Sequence, residues 1–221
     1  VLCISNASAP VNKMLAVAGK LWCACGHEIV VLNPATLEID VTFTGNPETR
    51  KPIQCLACVG QGVWLAVQGS SKVLLYHATS YEQLMDVSIA QAVAQKLQSA
   101  DDIIRQHKTA CLRITSLLAC KDLLWVGTSA GVILTLPMPK ISSLTVRASL
   151  TPPTVTGLVY GHTGHVRFLT CVEMPIPHGS FIGQSKASAE SSSSLPPWLA
   201  RRASISMHML TMATKMLVIS G

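Results

Sequence analysis

The sequence predicts an all-β fold: a partial β-propeller of four-stranded blades, with a short helical insertion and a disordered Ser/Pro-rich loop. Three observations predict it. An internal repeat is marked by Trp22, Trp64 and Trp125; turn residues recur at fixed offsets around each Trp; and the apolar runs are short and bounded by those turns.

Counting back eleven residues from each Trp gives Val11, Ile53 and Ile114. Within these stretches apolar residues share columns: Met14, Leu56 and Leu117; Val17, Val59 and Cys120; Leu21, Val63 and Leu124. A polar or glycine-bearing turn precedes the last column each time, so each copy reads as strand, turn, strand. Two positions after each Trp stands a small residue, Ala24, Ala66 or Gly127. Turns at 26–28, 69–72 and 129–131 then lead to third strands at Ile29–Leu32, Val73–Tyr76 and Val132–Leu136. A fourth, damaged copy places Val166, Leu169, Cys171 and Val172 in the columns of Ile53, Leu56, Cys58 and Val59. Its second strand is displaced to Lys215–Gly221, with Leu217 in the Trp column.

Val11 to Ile53 is 42 residues, the blade length of WD40-like propellers, while the later intervals of 61 and 52 hold insertions. The first insertion reads as helical over about 88–107: Ser88 is a candidate cap, Ile89, Ala92, Val93 and Leu97 share a face, and 99–102 opens a second turn. Its expected role is to cover a blade edge. Pro175, Pro177, the serines Ser191–Ser194 and Pro196-Pro197 predict a disordered loop. The expected organisation is blades over 1–174, the loop over 175–206, and a truncated next strand over 207–221. An arc of this length does not close a ring, so the isolated chain is expected to be marginally stable.

Composition excludes several classes. The chain has 221 residues, 49% of them hydrophobic and 13% charged, and a mean hydropathy of +0.41. The longest uncharged windows, Pro52–Ser71 and Leu123–Pro139, are interrupted by turn residues and read as strand pairs, so no membrane span is expected. Val1 opens a strand-like run with no charged leader region, unlike a signal peptide. The net charge of +6 is dispersed and lacks the basic, aromatic-interleaved stripe of a nucleic-acid surface.

No catalytic, cofactor-binding or metal site is expected, and no small-molecule substrate. Cys23, Cys25, Cys55 and Cys58 have zinc-like spacing, but residues three apart on a strand face opposite ways, which favours free thiols in a reducing compartment. Gly60 and Gly62 precede a strand, not the helix a phosphate loop needs. Ser129 centres a Gly-x-Ser-x-Gly run that also leads into a strand, unlike a nucleophile elbow. His162 and His165 lack a third ligand, and Gly161-His162 sits where WD-type blades place a structural pair. Arg201-Arg202-Ala203-Ser204 suits a basophilic kinase, which makes Ser204 a candidate phosphorylation site.

The stretches Ser80–Val87 and Thr115–Pro137, the latter containing Leu-Trp-Val-Gly-Thr-x-x-Gly, resemble the C-terminal propeller of large Dbl-family Rho guanine nucleotide exchange factors. The shorter core also resembles the propellers of JNK-interacting scaffold proteins. The resemblance implies a non-catalytic segment for protein interaction, targeting or regulation in Rho GTPase signalling, with exchange carried by a Dbl-homology domain that this sequence lacks. It implies protein partners of the Rho pathway or actin, in the cytoplasm at actin structures or cell junctions. The alternative is a scaffold propeller in vesicle transport.

Overall fold

The computed structural model describes residues 9–46, 50–159, 161–175 and 214–221. Three four-stranded antiparallel sheets follow one another, each laid down in chain order. The first holds β1 (Val11–Val17), β2 (Lys20–Cys25), β3 (Glu28–Leu32) and β4 (Ile39–Thr44). The second holds β5 (Ile53–Val59), β6 (Gly62–Val67), β7 (Lys72–His77) and β8 (Gln83–Ser88). After helices α1 (Ala90–Lys96) and α2 (Asp102–Ala110) comes the third: β9 (Ile114–Cys120), β10 (Leu123–Thr128), β11 (Ile133–Pro137) and the short β12 (Thr156–Gly157). The chain is thus nearly all β, built as propeller blades.

Two-residue turns close the first hairpin of every blade, pairing Val17 with Lys20, Val59 with Gly62, and Cys120 with Leu123. Each turn starts with a residue in the left-handed region, Ala18, Gly60 or Lys121. That twist matches the twist of the strands it joins. Every lead strand also carries a bulge one residue in, at Asn12, Gln54 and Thr115.

The bulges set the faces. Trp22 and Ala24 pack toward the second blade's Ile53, Val63, Leu65 and Val67. Trp64 and Ala66 pack toward the third blade's Ile114, Leu124 and Val126. The two Trp side chains are 0% and 1% exposed. The Trp22 and Trp64 faces are therefore each covered by the next blade in sequence, while alternate residues of β6, Val63 and Leu65, pack toward the preceding blade. Cys23 and Cys25 occupy the alternate positions of β2, with Val30 and Leu32. Phe43 and Tyr81 stack around Trp22 at ring-centroid distances of 5.5 and 5.8 Å and seal the first seam.

The insertion forms two helices, the second running three residues past the expected end. Asp101 caps α2 by accepting from Ile103 N. Ile89, not Ser88, takes the cap position of α1, and Ser88 Oγ accepts from Ala90 N at 3.4 Å. Ile89, Val93 and Leu97 are buried over the seam between the second and third blades, whereas α2 buries no residue and leaves Ile103 78% exposed.

The remaining strands, β13 (Leu169–Pro175) and β14 (Thr214–Ser220), pair with each other. The chain divides into two compact units: Cys171–Ile219, and the rest of the chain including Ser220–Gly221. In the smaller unit Val172, Leu217 and Ile219 are substantially exposed.

Candidate functional site

The most elaborate surface lies where the insertion meets the third blade. The end of α2, the 129–131 turn and the 161–165 segment are stitched together. Lys108 Nζ donates to Ala130 O at 2.8 Å and to Thr163 O at 3.2 Å. Ser129 Oγ donates to Cys111 O at 2.9 Å and accepts from Arg113 N at 3.0 Å. His162 N donates to Gly131 O at 2.8 Å. Gly131 adopts φ +83°, and a Cβ there would run into the His162 and Gly164 carbonyl oxygens, so only glycine lets the turn meet the segment.

Two hollows flank Lys108. The larger, of about 310 Å³, is lined by Lys96, Lys108 and His162 with Leu97, Val132 and Val159. The smaller, of about 210 Å³, is lined by His107, Lys108 and His165 beside Ser129. Among the described residues neither lining contains a carboxylate. Another hollow, of about 400 Å³, lies between β8, α1 and Pro152–Val155, and its carboxylate, Asp86, is held by Lys72 at 3.0 Å.

The residues singled out in the sequence fall in different places. Trp22 and Trp64 are blade-seam residues, Trp125 is half-buried, and Leu217 is 44% exposed. Ser204 and the loop around it lie outside the described residues. Gly60 is a hairpin turn, and the Ser129 hydroxyl is engaged by the backbone. His162 Nε2 stands 2.8 Å from Ser220 Oγ, while His165 is exposed. Cys55 and Cys58 point to opposite faces, toward the third blade and the first respectively. Burial pushes the Cys55 thiol up to about 11, and also raises Cys23, Cys25 and Cys58, so these groups stay neutral thiols near pH 7. Among the described residues no three His, Cys, Asp or Glu side chains group to hold a metal, and no helix is long and apolar enough to cross a membrane.

Sequence reasoning missed Lys96, His107 and Lys108. A signal was present: after Asp102 the insertion contains Arg105, His107 and Lys108 and no further acid. What it lacked was the long-range fold-back of 161–165 onto that helix.

Residues 2–197 match the WD40 repeated domain family. The chain is 45% identical over 172 residues, 78% of its length, to Rho guanine nucleotide exchange factor 17 of mouse and of human. It spans only 8% of the length of those relatives. It is also 31% identical over 150 residues to C-Jun-amino-terminal kinase-interacting protein 3 of rat, covering 65% of the chain and 11% of that relative. Among solved structures, Sqt1 of Saccharomyces cerevisiae matches with TM-score 0.52 at 13% identity, over 82% of this chain and 42% of Sqt1, a likeness of fold alone. The chain belongs to the WD40 repeated domain family and is similar, over most of its length, to a segment of Rho guanine nucleotide exchange factor 17.

Proposed function

We propose that the chain is a non-catalytic propeller segment of a Rho guanine nucleotide exchange factor, serving protein–protein interaction, targeting or regulation in Rho GTPase signalling. Nucleotide exchange itself belongs, in this reading, to a Dbl-homology domain outside the segment, and the segment works in the cytoplasm at actin structures or cell junctions. The supporting observation is a division of labour between the blade seams and the surface around the insertion. Inner-strand side chains are buried in the seams, and the polar, recessed surface around Lys108 is lined by the helical insertion and the 129–131 and 161–165 segments. A scaffold of buried strands presenting loop chemistry suits binding of another protein.

The test is release of a fluorescent GDP analogue from a Rho GTPase with the chain in excess. Release at the spontaneous rate is expected; acceleration that co-purifies with the chain rejects the proposal. A second reading, a scaffold propeller in vesicle transport, draws on the similarity to the kinase-interacting protein. The coding sequence upstream of Val1 separates the two, since a Dbl-homology bundle there supports the first and coiled coils the second.

A further inference from the structure

The two hollows around Lys108 share that cationic wall. Lys96, His107, Lys108, His162 and His165 line them, with no Asp or Glu among the described residues of either lining. Among the described residues none of these five enters an ion pair; the carboxylates Asp40, Asp86 and Asp102 are held by Lys20, Lys72 and Arg105. Lys108 is fixed before any ligand arrives. Its ammonium has three donors, two are committed to Ala130 O and Thr163 O, and one is left over. Lys96 lies with its alkyl stem against Gly157 and lines the larger hollow. That hollow also has apolar wall from Leu97, Val132 and Val159, the last 83% exposed.

We infer that this rim is a docking site for an acidic linear peptide carrying aliphatic residues between its carboxylates. One carboxylate engages Lys96 and Lys108, an aliphatic side chain enters the larger hollow against Val132 and Val159, and a second carboxylate reaches His107 and His165. Charge complementarity selects the sign of the partner, and the paired concavities select side chains over a flat lipid surface. Holding Lys108 and the backbone turn rigid lowers the ordering cost of binding. The inference rests on the interaction reading above and specifies the partner's chemistry.

The probe is a fluorescein-labelled peptide of alternating Glu and Leu, titrated with the full chain and read by fluorescence anisotropy. Saturable binding is expected, weakening as salt is raised, because the contacts are solvent-exposed charges. Lys96→Glu combined with His165→Glu is expected to weaken it at least tenfold, and Lys96→Gln, which keeps the alkyl packing, by a smaller factor. Lys140→Glu, the same charge change as Lys96→Glu alone but at an exposed site outside both hollows, should leave binding unchanged. Equal weakening by Lys140→Glu would mean net charge alone and overturns the site. So does equal binding of the peptide with Lys in place of Glu. Sedimentation with phosphatidylserine vesicles, lost in the double variant while the peptide fails to bind, overturns it in favour of a membrane surface. GDP release measured on the same preparation separates the two proposals: exchange there rejects the interaction reading, whereas absent exchange with absent peptide binding rejects this site alone.

Discussion

The hydroxyl of Thr115 donates to the carbonyl oxygen of Val166 at 2.5 Å, and these two residues stand one blade apart in the repeat. Asn12 does the same two blade junctions earlier, its Nδ2 donating to Ile53 O at 2.8 Å. Both donors are the extra residues of the lead-strand bulges, and both acceptors occupy the column that opens the following copy. The bulge thus turns a side chain out of its own sheet, Asn12 onto β5 and Thr115 onto the segment that follows β12. At the middle bulge, Gln54 leaves Oε1 buried without a partner.

Thr115→Val keeps the shape and removes the donor, leaving the Val166 carbonyl unpaired. It should cost about 1–2 kcal/mol, read as a lower urea midpoint at unchanged slope. Gln54→Met, which deletes an unsatisfied group, should be close to neutral. A neutral Thr115→Val would show that the bulge contact is incidental.

Trp64→Ala empties a fully buried seam position and should destabilise by about 3–5 kcal/mol. Trp125→Ala, at a half-buried member of the same column, should cost less, and Leu217→Ser least. Ranking the three by chemical denaturation tests whether the column is a structural series; equal losses would contradict the burial order.

Gly60 and Gly131 both have positive φ, but only Gly131 is also crowded. Gly60→Ala meets nothing within 4 Å and should cost about 1 kcal/mol of backbone strain. Gly131→Ala must also push the His162 carbonyl away, separating the turn from the 161–165 segment. Circular dichroism melts of the two variants should differ widely, with the Gly131 variant also losing acidic-peptide binding.

The Cys55 thiol, ordinarily at 9.0, is raised to about 11 by burial, which outweighs the lowering effect of Lys13 and a backbone hydrogen bond from Leu117. As pH climbs through that interval the unfolded chain releases this proton while the folded chain retains it. Stability is therefore full below pH 9 and declines toward pH 11, by about 2–3 kcal/mol for this group. Cys55→Val should flatten that part of the alkaline slope. In native thiol labelling at neutral pH, exposed Cys111 should react fast and buried Cys23, Cys25 and Cys55 only on unfolding.

Much of the fold was legible because Trp22, Trp64 and Trp125 supply an absolute register, and flanking apolar columns then place three strands of each blade. The outer strands β4, β8 and β12 were not individually located. Ile39 and Asp40 are exposed and Thr156–Gly157 is a two-residue strand, so edge strands carry little apolar period. Burial on both faces hid the alternation within β6, where every residue is buried. The rim around Lys108 was out of reach for a different reason. Its wall needs Thr163 beside Lys108 and Gly131 beside His162, contacts set by tertiary fold-back and not by local pattern. His77 is a similar case: its Nδ1 accepts from Thr79 N and Ser80 N, which leaves Nε2 to donate to Ser142 O, 65 residues away.

Because the faces bearing Trp22 and Trp64 are each closed by the blade that follows in the chain, packing order and covalent order coincide there. During synthesis, Trp22 stays wet until Ile53, Val63, Leu65 and Val67 have left the ribosome, and Trp64 waits in turn for Leu124 and Val126. Nascent chains stalled after Thr44 should therefore leave Trp22 open to an aqueous quencher, and chains stalled well beyond Val67 should shield it. The blade that carries Trp22 spends its early life as a sticky surface whose protection is still being translated.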